Sequence, residues 1–159
     1  MEHHSPTQTM QHSGSAYGAF AVQLLLSAVA MYLAMYLMIA RIEDFHLNLN
    51  TLYMTAVMVA PMGVLMLLMM PSMYPRRGLN LALYAAFAVM FVAGIWFTRA
   101  QMFVGDEEFL RSMIPHHSGA LLMCGEADLS DAEIVALCRS IEASQSAEIA
   151  QMTGILERL

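Results

Sequence analysis

The sequence predicts an all-α membrane protein in which three transmembrane helices are followed by an extramembrane helical hairpin. Three observations lead to this fold class. Of the 159 residues, 58% are hydrophobic, and the mean hydropathy of +0.56 is typical of membrane proteins. Three uncharged apolar runs are each long enough to cross the hydrocarbon core of a bilayer. The chain after residue 105 carries ten of the thirteen acidic residues, together with the signals that begin and end helices.

A polar tail, predicted to be flexible over residues 1–16, precedes a membrane region that we place at 17–99. The predicted spans cover roughly 17–40, 51–71 and 79–98. The first is too long for a cleaved signal peptide and lacks the basic start of one. Arg76 and Arg77 favour an inside location for the loop between the second and third spans, which puts the amino-terminal tail inside and the hairpin outside. Arg41, Arg99 and Arg111 favour the opposite orientation.

The hairpin is predicted over residues 105–159. Its first helix begins at Asp106, whose side chain is expected to cap it, and ends near Gly125. A capping box beginning at Ser130 opens the second helix, which runs to about Leu156. About 50 residues are too few to bury an independent core. We therefore predict a homo-oligomer, most simply a dimer, in which the hairpin packs on another copy or on the membrane part.

The stretch at residues 113–123 concentrates imidazoles and thioethers, with two of each within eleven residues. On a helix, Met113 can meet His116 at the third position along or His117 at the fourth, and Met123 lies two turns beyond His116. The two histidines point about 100° apart, which favours two small sites or one site shared with another helix. Imidazole and thioether ligands suit copper and do not suit magnesium or calcium. We therefore predict copper(I) or copper(II) as the ligand, with no organic cofactor.

The two cysteines are expected to be free. A turn centred near Ala127–Asp128 would set Cys138 level with His117. Cys124 would then be offset from Cys138 by about 10 Å along the helix axis. A disulfide needs Cα atoms within about 7 Å. We predict free thiols, with Cys138 as at most an auxiliary metal ligand.

The hairpin also resembles a known family. The string is Asp106-x-x-Phe109-Leu110-x-x-Met113-Ile114-Pro115-His116-His117-x-x-Ala120 and Met123, then Ile141-x-x-x-Gln145-x-x-Glu148-Ile149-x-x-Met152-x-x-x-Leu156. It resembles domain-of-unknown-function family 305, including its membrane-anchored subset. The resemblance implies a ferritin-like fold, of which one hairpin is half a four-helix bundle, and an extracytoplasmic, copper-associated role. It implies metal ligands at Met113, His116, His117, Met123 and Met152.

The leading functional hypothesis is a bacterial inner-membrane protein that captures copper in the periplasm for buffering, detoxification or hand-over. No catalytic nucleophile with its base and no phosphate loop is present in the sequence, so we do not expect an enzyme. The acidic balance also disfavours nucleic acid as a partner, because phosphate binding needs basic residues. The expected partners are copper ions, the bilayer and a second copy of the chain.

Methionine patterning supports a rival hypothesis of copper(I) transport. Of the 17 methionines, Met54, Met58, Met62, Met66 and Met70 recur every fourth residue along the second span. Three spans with this pattern and a Met/His-rich amino tail resemble the eukaryotic high-affinity copper transporter family in architecture. Methionine also packs well in cores, and polar groups that help an ion shed its water are nearly missing from the spans. We therefore expect packing there. A structural membrane protein whose hairpin mediates assembly is a third hypothesis.

Overall fold

The protein is all-helical in a computed structural model that describes residues 6–159, with side chains described from Ala16 onward. The helices are α1 (Pro6–Ala34), α2 (Leu49–Met69), α3 (Arg77–Ala100), α4 (Asp106–Glu126) and α5 (Ala132–Leu156). Short 3₁₀ turns at Met35–Met38 and Ile42–Asp44 follow α1. No strand occurs among the described residues. The predicted all-α class is thus confirmed.

Three segments are long and apolar enough to cross a membrane: Ala16–Met38, Leu49–Met69 and Arg77–Ala100. They match the predicted spans to within two residues at every end. Helix α1, however, begins at Pro6, so it includes most of the segment predicted as a polar tail over 1–16. The first five residues of that tail lie outside the described residues. Gln and Met continue a helix at little cost, which lets the apolar span extend into polar sequence.

The chain divides into two compact units. We call them the span unit, which holds the residues up to Met31 and Tyr53–Ala100, and the hairpin unit, which holds Tyr32–Leu52 and Gln101–Leu159. The hairpin unit therefore contains more than the predicted hairpin at 105–159. It also takes in the connection between the first two spans, of which we refer to residues 39–48 as the connector.

Two glycines set the packing of α2 and α3 in the span unit. A Cβ atom at Gly63 would lie 2.5 Å from the ring of Phe87, and one at Gly94 would lie 2.7 Å from Val57. Real carbon atoms do not approach so closely, so the missing side chains at these two positions allow the close approach of the helices. Close helix contact of this kind replaces hydrophobic burial as the source of packing energy in lipid.

In the hairpin unit, the connector is held against α4 by a buried hydrogen-bonded group. The hydroxyl of Ser118 donates to the Asp44 carboxylate at 2.6 Å and accepts from the Ala40 N–H at 2.8 Å. Ser118 is fully buried and Asp44 nearly so. Arg41 pairs with the same carboxylate at 3.2 Å. A buried carboxylate is stable only with such partners, so this contact fixes the connector on α4.

A second polar contact joins the start of α2 to the start of α4. The Asn48 side-chain oxygen accepts from the Thr51 N–H at 2.9 Å and so caps α2. Glu108 of α4 accepts from the Leu49 N–H at 3.0 Å, which satisfies another free amide of the same helix end. The Glu108–Leu49 contact therefore joins the start of α4 to the start of α2 within the hairpin unit.

The ends of the hairpin helices differ from their predicted caps. Helix α4 has Gly105 at its N-cap position and no side-chain cap, so the expected capping by Asp106 is wrong, although three acidic residues do occupy its first turn. Helix α5 is capped by Asp131, which accepts from the N–H groups of Glu133 and Ile134. Ser130 and Asp131 can both act as caps, and the chain uses the carboxylate, because a charged acceptor binds the amides more strongly.

This assignment gives a prediction for α5. Asp131→Ala should cost about 1 kcal/mol of local stability, because two amides of the first turn lose their acceptor. Amide hydrogen exchange in that turn should become roughly fivefold faster, while Ser130→Ala should leave it unchanged. The reverse ranking of the two variants would restore Ser130 as the cap.

Candidate metal centre

A disulfide sets the register of the α4–α5 hairpin. Cys124 and Cys138 are bonded, with their Cα atoms 5.4 Å apart. The predicted free thiols are therefore wrong, and neither sulfur is available as a thiolate ligand. The prediction was wrong because it centred the turn between the two helices near Ala127–Asp128. Five residues, 127–131, separate the two helices, so Cys138 lies opposite Cys124 and not opposite His117.

Two turns of α4 before the disulfide, His117 faces Glu148 of α5. The imidazole Nδ1 lies 3.0 Å from a carboxylate oxygen of Glu148. The His117 side chain is only 13% exposed, whereas that of Glu148 is about half exposed. The contact has an ion-pair distance, yet Nδ1 makes no hydrogen bond of good geometry among the described residues. The ring is therefore close to a negative charge without being held by a hydrogen bond at Nδ1 among the described residues.

The same register places thioethers one turn further along. Met113 lies one turn before His117, and Met152 lies one turn after Glu148. These two residues are therefore level with each other across the interface between α4 and α5, which we call the seam. Both are partly buried. Gln145, about one turn from Glu148 in the other direction, has a buried side-chain oxygen without a hydrogen-bond partner in the described structure. By this register the seam carries the His117 imidazole, two thioethers one turn to one side of it and an unsatisfied amide oxygen about one turn to the other side.

His116 and Met123, the other two predicted ligands, are not in the seam. The ring of His116 is exposed, with its centroid 6.0 Å from that of His117. Met123 is 61% exposed and lies about 9 Å further along α4 than His117. His116 and Met123 therefore lie on a face of α4 next to the face that contacts α5. The structure thus brings three of the five predicted residues to one seam and leaves two on the adjacent face.

The donors in the seam fit a soft metal better than a hard one. Within the described part of the chain, no three His, Cys, Asp or Glu side chains form a metal-binding group. A site in the seam would therefore draw on the thioethers of Met113 and Met152. Neutral sulfur and imidazole donors suit copper(I), while magnesium and calcium need several oxygen ligands. Met113, His117 and Met152 are the residues that would hold it.

Glu148 and Gln145 are the neighbours that sequence reasoning did not place correctly. The assumed turn set both residues about seven positions too early along α4, because it placed Cys138 level with His117 whereas the disulfide places Cys138 opposite Cys124. The signal that could have corrected this was the cysteine pair. A disulfide across the end of a short hairpin defines the register of every residue behind it.

Comparisons with known proteins agree with the hairpin assignment. Residues 97–158 match the family model described as Domain of unknown function (DUF305). The chain is 33% identical over 141 residues to the uncharacterized protein L153 of Acanthamoeba polyphaga mimivirus, an alignment that covers 84% of this chain and 91% of that protein. No solved structure matches the chain. With a DUF305 match across α4 and α5 and a relative similar over nearly its whole length, the chain belongs to the DUF305 family.

Proposed function

We propose that the protein is an integral membrane protein whose hairpin binds copper, and that it captures the ion for buffering or hand-over. The observation that carries the proposal is the seam between α4 and α5, where His117 lies beside Glu148 and one turn from the level of Met113 and Met152. The unsatisfied oxygen of Gln145 lies in the same seam. Binding, and not catalysis, is what such a set of neutral soft donors supports.

The disulfide supports an extracytoplasmic position for the hairpin. Disulfides persist in oxidising compartments and are rare in the cytosol. A copper site on that side can use thioethers without competition from its own cysteines, which are bonded to each other. In a bacterial inner membrane the oxidising side is the periplasm, and we propose that the hairpin lies there.

The membrane spans play a packing role in this proposal. Along α2, the buried residues Thr55, Val59, Gly63 and Leu67 form one stripe. Met54 and Met58 lie beside this stripe and are more than a third exposed within the chain. Lipid or another helix can cover thioethers in such positions without any ion present.

Copper(I) titration tests the proposal. The full chain in lipid nanodiscs should bind copper(I), kept reduced with ascorbate, more tightly than zinc. Met113→Leu should weaken copper(I) binding about tenfold or more, since loss of even an outer-shell partner costs that much. Leucine nearly preserves the volume of methionine, so the fold should be retained.

Met123→Leu is the matched control, because it makes the same change on the same helix outside the seam. Its affinity should equal that of the wild type. Zinc binding as tight as copper binding, or equal losses in both variants, would count against the proposed site. Copper flux into vesicles that disappears when Met54, Met58 and Met62 become Leu would favour the transporter instead.

A further inference from the structure

A methionine at the end of the first span lies against α4. Helix α4 contacts the 3₁₀ turn that ends at Met38. A Cβ atom at the buried Gly119 would lie 3.4 Å from the Met38 carbonyl oxygen and 3.9 Å from the Met38 Cβ. The Met38 sulfur is two bonds beyond that Cβ, and the residue is about half exposed. The Met38 thioether therefore lies close to the surface of α4.

A hydrogen bond just after Met38 holds it in this place. The N–H of Ala40, two residues on, donates to the Ser118 hydroxyl at 2.8 Å. Ser118 is the neighbour of Gly119 on α4 and is fully buried. Its hydroxyl donates to Asp44 in turn, which ties the rest of the connector to the helix. The position of Met38 is therefore defined by an anchor on the adjacent residue of α4 as well as by its own contact.

Two further residues of ligand type flank Gly119 on the same side of α4. His116 precedes it by three residues and Met123 follows it by four, and residues at these spacings are surface neighbours with Cβ atoms about 5–6 Å apart. Helical side chains lean toward the start of the helix, so Met123 leans over Gly119 and toward Met38. The His116 ring is exposed and has room to turn toward the same place. Two thioethers and an imidazole thus surround one glycine.

The donors around Gly119 are of the same kinds as those in the seam. Each group has two thioethers and one imidazole. Neutral donors of this softness suit copper(I), because a thioether binds that ion without first losing a proton. In both groups α4 supplies one histidine and one methionine, and a neighbouring segment supplies the other methionine. That second methionine is Met152 of α5 in the seam and Met38 at Gly119.

Core packing does not account for these three side chains. Methionine often fills gaps in a protein core, where it is covered by many neighbours. Met38 and Met123 are instead about half exposed or more, and His116 is exposed as well. The chain after residue 105 also carries ten acidic residues and three arginines, a balance that draws cations to its surface. A ligand role explains both the exposure of the three side chains and their grouping.

We propose that Met38, His116 and Met123 form a second copper(I) site beside the seam. The proposal rests on the proposed copper-binding function for its metal, and it adds a ligand from outside residues 97–158, which match the family model. The two sites adjoin each other, because His116 and His117 are consecutive and their ring centroids are 6.0 Å apart. An incoming ion reaches the exposed second site first, and the partly buried seam retains it.

The first test is a copper(I) titration of the full chain in lipid nanodiscs against a competing chelator. The wild type should show two binding events. Met38→Leu should weaken one of them about tenfold or more and leave the seam affinity unchanged, while Met113→Leu should do the reverse. Met123→Leu should behave like Met38→Leu, so it still preserves the seam. Met73→Leu, which alters an exposed thioether between α2 and α3, is the control and should change neither event.

The second test identifies the sulfur atoms directly. Silver(I) serves as a diamagnetic stand-in for copper(I), and the methionine methyl groups are labelled with carbon-13. In Met113→Leu, where the seam is weakened, silver(I) should shift the methyl signals of Met38 and Met123 and leave that of Met73 in place. Adding Met38→Leu to this variant should remove most of the Met123 shift, because the two thioethers share one ion. The Met→Leu variants also assign the signals.

The outcomes separate the second site from the proposed function. A single binding event in the wild type, with shifts confined to Met113 and Met152, would overturn the second site while copper binding by the seam stands. Two events that Met38→Leu and Met123→Leu both leave unchanged would overturn it as well. A wild type that binds neither copper(I) nor silver(I) removes both sites together. Exchange of the Ala40 amide in Met38→Leu should equal that of the wild type, and if it does not, Met123→Leu decides, since it leaves the connector intact.

Discussion

Replacing both Cys124 and Cys138 with Ser is expected to speed amide hydrogen exchange in α4 and α5 by roughly a hundredfold. The disulfide joins residues 14 apart in sequence. A cross-link of that length stabilises a fold by about 3 kcal/mol, since it restricts the unfolded chain. Each 1.4 kcal/mol corresponds to about tenfold in the opening equilibrium that exchange reports.

Amide exchange in α3 is the internal control, because α3 lies in the span unit and contains no part of the disulfide. Exchange in α3 should be the same in both proteins. Thiol titration of the unfolded wild type should find no free cysteine before reduction. Equal exchange in α4 and α5 of the two proteins would mean that the disulfide does not restrain the hairpin. Copper(I) affinity should also fall in the double variant, as the seam loses its fixed register.

Ser118→Ala is expected to release the connector from α4. The variant removes an acceptor for the Ala40 N–H and a donor to the Asp44 carboxylate. Loss of a hydrogen bond to a buried charged group costs about 1.5–3 kcal/mol. The Ala40 amide should therefore exchange at least about tenfold faster. Ser140→Ala, at an exposed position of α5, is the control and should change little.

A double variant tests the physical reason for this effect. In Ser118→Ala/Asp44→Leu the carboxylate is gone as well, so no charge is left buried without its partner. Its cost should be smaller than the sum of the single effects, because removal of both partners spares the desolvation penalty. Arg41 loses its ion pair but is about half exposed and can be hydrated. Additive costs would show that Ser118 acts through packing and not through Asp44.

The sequence was sufficient to predict the helices and insufficient to predict their contacts. The spans are visible because uncharged runs of about 20 residues have few alternatives to a transmembrane helix. Helix α5 ends at Leu156, as its pattern indicated. The hairpin register depended on the conformation of five loop residues, for which local pattern carries little information. An error of about seven residues in this register moved Cys138 to the level of His117.

The docking of the connector could not have been read from any local pattern. Asp44 and Ser118 are 74 residues apart, and each is an ordinary residue in its own segment. Ser118 follows the two histidines, so it was read only as part of the metal-binding string. The metal ligands were easier to recognise because residue type alone restricts their chemistry. Which of them share a site depends on the register, and so the separation of His116 and Met123 from the seam emerged only in three dimensions.

The 74 residues between Asp44 and Ser118 also impose an order on biosynthesis. At about 5–20 residues per second, the ribosome adds the serine roughly 4–15 seconds after the aspartate. During that interval the connector exists without α4, the helix that supplies Ser118. The Asp44 carboxylate lacks the serine hydroxyl until then. The connector therefore reaches its final place only after α4 has been made, which makes its docking a late step in assembly.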